Sequence, residues 1–197
     1  MVTIDLLRHG ALEGGVKYRG SVDDPLTLSG RQAMEDVWAE LAKDVTVIIS
    51  SPLSRCAQPA SDWAKASGAK LEIDDRVHEL HYGLWEGKTA EEIEALYPGM
   101  LAKWRENPQG RIPPEGEAMD DFSERIALFL ADIIARHQGE HVLVVGHSGS
   151  IRVLLAHALA APVITTRHLD MPYACWSRLV HHQGQLVLKF HARETRN

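Results

Sequence analysis

"IDLLRHGALEGG", residues 4–15, is the stretch on which the reading of this chain turns. A short apolar run stops at Arg8 and His9 and then meets glycines. The apolar "VTIDLL" at 2–7 predicts a first strand. Two readings of its end are open. Arg8 and His9 are either the polar rim of a surface loop or groups that a strand delivers to a site.

The flanking sequence supplies the context. "SGRQAMEDVWAELA" at 29–42 predicts a helix, because Ala33, Val37, Trp38 and Leu41 recur at helical spacing behind a capping box of Ser29 and Gln32. "VTVIIS" at 45–50 is apolar on both faces, as in a buried parallel strand. "LSRCAQPASDWAKA" at 53–66 predicts a helix in which Pro59 marks a kink or a delayed start. "AKLEID" at 69–74 is a short strand, and Thr89 with Glu92 forms a capping box ahead of "AEEIEALYP". Pro98, Pro108, Pro113, Pro114 and interspersed glycines make 98–116 a long excursion over the surface. In "AMDDFSERIALFLADIIARH", 118–137, Phe122, Ile126, Phe129, Ile133 and Ile134 line one helical face. "HVLVVG" at 141–146 is another buried strand, "GSIRVLLAHALA" at 149–160 a helix, and "CWSRLVHH" with "QLVLKFHA" a closing hairpin around Gln183 and Gly184.

Strands alternating with helices predict an α/β fold, a three-layer α/β/α sandwich on a mostly parallel central sheet. Ligands in such sheets sit at the carboxyl ends of strands. The first strand ends in Arg8-His9-Gly10, the second in Ser50-Ser51-Pro52 with Arg55 close behind, and the strand at 141–146 in Gly146-His147-Ser148-Gly149. Two arginines and two histidines thus gather at one edge, which favours delivery to a site.

The chain's 197 residues, 45% of them hydrophobic, suit one domain spanning 1–197 with ample core. A formal net charge of -6 offers no general basic surface for nucleic acid, so an anion would need a local positive pocket. Cys56 and Cys175 lack metal-type spacing and suggest a reducing compartment. The first apolar run is too short for a signal peptide, and none approaches the roughly 20 residues of a membrane helix. The expectation is a cytoplasmic protein, monomer or homodimer, with neither membrane nor nucleic-acid partners.

Two arginines, two histidines and adjacent glycines suit a phosphate. Arginine matches phosphate oxygens with a planar fork of donors, and a neutral imidazole can attack phosphorus. Glycines permit close approach, and a helix starting near Gly149 favours an anion. Glu79, in "HELHYGLWEG", could protonate a leaving alkoxide.

"LLRHG", "SSPLSRCAQ", "HELHYGLWEG", "PPEGEAMDDFSERI" and "VVGHSGSIR", in this order from residue 4 to 152, resemble the histidine phosphatase superfamily, the phosphoglycerate-mutase-like proteins. The resemblance implies that His9 is a nucleophile forming a phosphohistidine, that Arg8, Arg55 and His147 clamp the phosphoryl group, and that Glu79 is the general acid and then the base. It implies no metal and no cofactor, and a small phosphate ester as the partner. Among the phosphatases of the family, "YRGSVDDPLT" and "ELHYGLWEG" are most similar to the α-ribazole phosphatases of cobalamin biosynthesis, with α-ribazole 5′-phosphate as the expected substrate. A phosphoglycerate mutase or a broad sugar phosphatase is the alternative within the family; mutases carry a longer cover over the site than this chain offers. Residues of about 80–116 are expected to lie over the active site, with 98–116 forming a pocket wall.

The chain also departs from the family pattern. Ala11 and Leu12 follow "RHG" where the family has Glu-Thr and soon an asparagine on phosphate, leaving Arg19 or a backbone amide to compensate. Ser148 replaces a glycine and adds a donor. Gly10, His78 and His81 complete the candidate substrate contacts. Other readings stay open. "VVGHSGS" nearly matches the G-x-S-x-G nucleophile elbow of an esterase with Ser148 as nucleophile, but only 49 residues follow it. An inactive binding module would have lost a key residue, and His9, Arg8, Arg55, Glu79 and His147 are all present. Arg152 is read as a brace and Trp104 as packing.

Overall fold

The computed structural model describes residues 1–195. Six strands form one sheet: β1 (Val2–Arg8), β2 (Val47–Ser50), β3 (Lys70–Ile73), β4 (His141–Gly146), β5 (Trp176–His182) and β6 (Gln185–Arg193), in the spatial order β3-β2-β4-β1-β5-β6. β1 to β4 run parallel, and the closing hairpin adds β5 and β6 antiparallel at one side. The helices are α1 (Leu28–Leu41), α2 (Ser54–Ser67), α3 (Ala90–Leu96), α4 (Met100–Glu106), α5 (Met119–Arg136) and α6 (Ser148–Ala158).

The period of two along each strand divides the core into two layers. Val2, Ile4 and Leu6 of β1, with Val142 and Val144 of β4, pack against α5 and α6. Leu7, Ile48, Leu143 and Val145 point the other way, onto α1 and α2. Both sheet faces are therefore covered, which is why the strands read as unbroken apolar runs.

Several local expectations change. Thr27, not Ser29, caps α1: the Gly30 amide donates to Thr27 Oγ1 at 2.9 Å, while Gln32 reaches forward to Asp36. Pro59 lies inside α2 and is buried against the core rather than delaying the helix. The Thr89–Glu92 capping box at α3 is formed, with both reciprocal bonds in place. The excursion at 98–116 holds the two-turn α4, hidden in the sequence by flanking prolines and opened by Gly99 at φ 71°. The breakers Pro98, Gly99 and Pro108 lie outside a run of good helix formers, and burial of Leu101 with Trp85 and Ile93 adds a small third core that holds this short helix.

One charge sits inside the sheet. Asp5, fully buried in β1, accepts two hydrogen bonds of 2.8 Å from Arg178 on β5 and meets His141 Nε2 at 2.6 Å. Register explains the pairing, since Asp5 stands directly opposite Arg178. Asp5→Ala is expected to lower stability by about 3 kcal/mol, by leaving Arg178 without its counter-ion. Urea denaturation reads this, and the double variant Asp5→Ala/Arg178→Leu should recover part of the loss.

Candidate active site

The carboxyl ends of β1, β2 and β4 are level, with Arg8 opposite Gly146 and Ser50 opposite Val145. Pairing continues one residue beyond each strand: His9 N donates to Gly146 O, and Ser51 N to Val145 O, both at 3.0 Å. His9, Ser51 and His147 are thereby held as neighbours, with the two imidazole centroids 5.2 Å apart. A glycine is required just after His9. A Cβ at Gly10 would lie 2.0 Å from the Gly30 carbonyl oxygen, so the loop could not pass the start of α1.

The hydrogen bonds assign both tautomers. His9 Nδ1 lies 2.8 Å from the Gly10 carbonyl, which can only accept, so Nδ1 carries the proton and Nε2 keeps its lone pair. Burial, reinforced by the charges of Arg8 and Arg55, pushes the His9 pKa down to about 3, leaving the ring neutral. Arg55 Nε donates to His147 Nδ1 at 3.3 Å, so a neutral His147 carries its proton on Nε2, facing Ser51 Oγ at 2.8 Å. Burial, and then the Arg55 charge, hold the His147 pKa well below the usual imidazole value.

A cavity of about 230 Å³ opens at this edge. Of the residues expected in the site, Arg8, His9, Arg19, Glu79 and Ser148 line it. Arg55 and His147 do not; they are 1% and 0% exposed, adjoining the nucleophile candidate from inside. Arg55 spends its donors on the carbonyls of Arg19, Gly20 and Val22, and so ties this loop to the sheet edge. Gly10, His78 and His81 also lie outside the lining. His78 Nδ1 is held between Arg125 and the Glu79 carbonyl, and His81 Nδ1 accepts from Gly83 N, so both shape the Glu79 segment. Arg19 reaches the cavity, but its guanidinium is engaged by Asp24 and by the carbonyls of Glu13 and Gly15. It braces the loop instead of replacing the missing asparagine.

Glu79 is placed by backbone donors. Its Oε2 accepts from Gly149 N at 2.9 Å and its Oε1 from Leu80 N at 3.0 Å. Gly149 is needed for this, because a Cβ there would stand 2.2 Å from Glu79 Oε1. Ser148 Oγ accepts from Arg152 at 2.7 Å and, among the described residues, donates to no histidine, which leaves it without the base an esterase serine needs. Arg152 also donates to Leu169 O and so acts as the brace expected of it.

Sequence reasoning missed Tyr173 and Lys17, which also line the cavity. Arg8 donates to the Met171 carbonyl and stacks on Tyr173 at 3.9 Å, while its buried Nε has no protein partner among the described residues. Desolvation lowers the Arg8 pKa, and the nearby Tyr173 and Glu79 oppose that shift. Neither Lys17 nor Tyr173 sits at a strand end or in a recognisable motif, so no sequence signal pointed to them. Among the described residues, no three His, Cys, Asp or Glu side chains gather as a metal ion would require, and no helix is long and apolar enough to cross a membrane. Both cysteines are free and buried, and burial raises both thiol pKa values, that of Cys175 to about 11.

The profile of the histidine phosphatase superfamily (branch 1) matches residues 4–193, and the chain belongs to that superfamily as an enzyme of the phosphatase class. Phosphoserine phosphatase 1 of Hydrogenobacter thermophilus is 31% identical over 157 residues, 78% of this chain and 74% of its own. The probable phosphoglycerate mutase GpmB of Salmonella arizonae is 31% identical over 189 residues, 94% of this chain and 87% of its own. Bacillus stearothermophilus YhfR is similar with a TM-score of 0.92 at 27% identity, over 99% of this chain and 98% of that one. The α-ribazole phosphatase of Shigella flexneri, with a TM-score of 0.85 over 99% of this chain and 100% of its own, shares only the fold at 23% identity.

The depressed histidines imply a pH dependence with a definite sign. When unfolded, His9 takes up a proton near 6.5; when folded, it resists until about 3. The unfolded chain binds more protons within that window, so stability is full above pH 6.5 and is lost as the pH falls toward 3. Denaturation midpoints across this range should fall less steeply for His9→Asn than for the wild type. Identical slopes would contradict the buried, neutral assignment of His9.

Proposed function

We propose that the chain hydrolyses a small phosphomonoester through a phosphohistidine on His9. The observation that carries this is the fixed His9 tautomer: Nδ1 is committed to the Gly10 carbonyl in a ring kept neutral, so Nε2 keeps a free electron pair. In the first step Nε2 attacks phosphorus, the ester P–O bond breaks, and Glu79 gives its proton to the departing alkoxide. In the second, Glu79 takes a proton from water, the hydroxide displaces phosphate from Nε2, and His9 is restored. Arg8, which lines the cavity beside His9, is the principal contact for the phosphoryl oxygens. Arg55 contributes positive charge from within, and His147 holds the geometry and polarity around His9. Ser148 and Lys17 supply the remaining polar contacts of the wall.

Tyr82, Ala90 and Arg105, from the excursion of about 80–116, form the roof of this site on one domain. α-Ribazole 5′-phosphate is the leading substrate, on the similarity carried by "YRGSVDDPLT" and "ELHYGLWEG". A mutase reading is favoured by the relatives of that name. Interconversion of 2- and 3-phosphoglycerate without phosphate release would establish it. The two readings share the phosphohistidine.

Acid quench after a brief pulse of labelled substrate should trap acid-labile, base-stable phosphate on His9, and His9→Ala should abolish both label and turnover. Near wild-type turnover in that variant would refute the assignment. Glu79→Gln should slow alkyl phosphates by roughly 10²–10⁴-fold and p-nitrophenyl phosphate much less, since its leaving group needs little acid help. Equal losses would make Glu79 structural. Because arginine and histidine carry the transition-state charge in this scheme, activity should survive exhaustive chelation and vanadate should inhibit. A kcat/KM preference of about 100-fold for α-ribazole 5′-phosphate over 3-phosphoglycerate and nucleoside monophosphates would confirm the substrate.

A further inference from the structure

A second cavity, of about 450 Å³, adjoins the first. Tyr18, Tyr82 and Arg105 line both, so they form the partition between them. The larger chamber is walled by Trp104, Met119, Phe122 and Val153, and its volume lies in the range of small-molecule sites. Its rings continue those of the first cavity: Tyr18 meets Tyr82 edge-to-face at 5.1 Å, and Tyr82 meets Trp104 at 5.8 Å. Gly149 lines the second chamber while its N–H holds the Glu79 carboxylate, which lines the first. The group assigned to protonating the leaving oxygen is therefore anchored at the boundary between the two. Three arginines, Arg105, Arg152 and Arg167, line the second chamber, and no acidic side chain does.

We propose that this second chamber receives the leaving alcohol of the phosphate ester, and that it selects a flat apolar group that is neutral or anionic and rejects a cationic one. The proposal rests on the phosphatase reading of the first cavity and adds the chemical class of the substrate. Aromatic and aliphatic walls make burial of a ring favourable, while three unopposed guanidinium groups oppose an ammonium. Thr166 and Pro108 line the second chamber and not the first, at two different places in the chain. Each can be enlarged without touching a residue assigned to phosphoryl transfer.

The test compares ethyl phosphate, 2-phenylethyl phosphate and phosphocholine. The first two are esters of primary alcohols of similar acidity, so a difference in kcat/KM reads binding of the ring. Wild-type protein should prefer 2-phenylethyl phosphate over ethyl phosphate by about 50-fold, equivalent to about 2.3 kcal/mol of differential transition-state binding. Phosphocholine should fall below ethyl phosphate. Thr166→Trp and, separately, Pro108→Trp should cut the ring preference to below about fivefold while ethyl phosphate stays within about twofold of wild type. A wild-type preference under about threefold, efficient use of phosphocholine, or full ring preference in both tryptophan variants would overturn the assignment of the chamber. If none of the three esters is hydrolysed and no phosphate is trapped on His9, the phosphatase reading itself falls and the chamber assignment with it.

Discussion

The ladder between β1 and β4 does not stop where the strands stop. His9 N donates to Gly146 O at 3.0 Å, one step past the last paired residues, and the arrangement of the site depends on that bond. It fixes His9 beside His147, because the residue after an accepting carbonyl has no freedom to move away from it. The equivalent step on the other side of β4, Ser51 N to Val145 O, brings in the hydroxyl that faces His147 Nε2. Three chain segments, distant in sequence, meet through two backbone hydrogen bonds. The Gly10–Gly30 contact then lets the loop after His9 turn away without displacing α1.

Around this frame the protein concentrates positive charge against its net charge of -6. Arg55 is almost wholly buried, yet its donors meet carbonyls and the His147 ring, so its desolvation is offset by hydrogen bonds. Arg8 offsets its burial by stacking on Tyr173, an interaction of about 2 kcal/mol when desolvated. The two cations have a common effect on His9: together with burial they keep its ring neutral. An electron pair that would otherwise be protonated in mild acid remains free, and the same charges attract an anion toward it. The free electron pair of His9 and the local attraction for an anion therefore have one electrostatic origin.

The excursion at about 80–116 has its own small core. Trp85, Ile93 and Leu101 pack together, with Tyr18, Tyr82 and Trp104 against them. This is why a stretch rich in proline and glycine still holds defined walls. Those walls border a cavity of about 230 Å³ and a larger aromatic chamber that share Tyr18, Tyr82 and Arg105. The sheet edge contributes Arg8 and His9 to the first, while α4 and the segment Val163–His168, together with α5 and α6, line the second.

Much of this was legible in the chain itself. Unbroken apolar strands, a three-to-four residue period at 118–137 and Gly-rich strand ends are local patterns with local causes, and they determined the parallel layered fold, the edge on which the cavity lies, and the placing of Arg8 and His9 there, while Glu79 stood out through the segment "HELHYGLWEG". The tertiary structure alone decided the rest. That Arg55 and His147 stand inside the wall, that Arg19 braces a loop, and that His81 turns to Gly83 depend on which carbonyl or ring nitrogen lies within reach after folding. Residue type does not encode such distances. Tyr173 and Lys17 entered the site for the same reason, and the buried Asp5–Arg178 pair needed a strand register between residues far apart in the chain. The helix at Met100–Glu106 shows a related limit: its residues favour a helix but are too few to form one alone, and the cluster around Leu101, assembled from distant side chains, holds it.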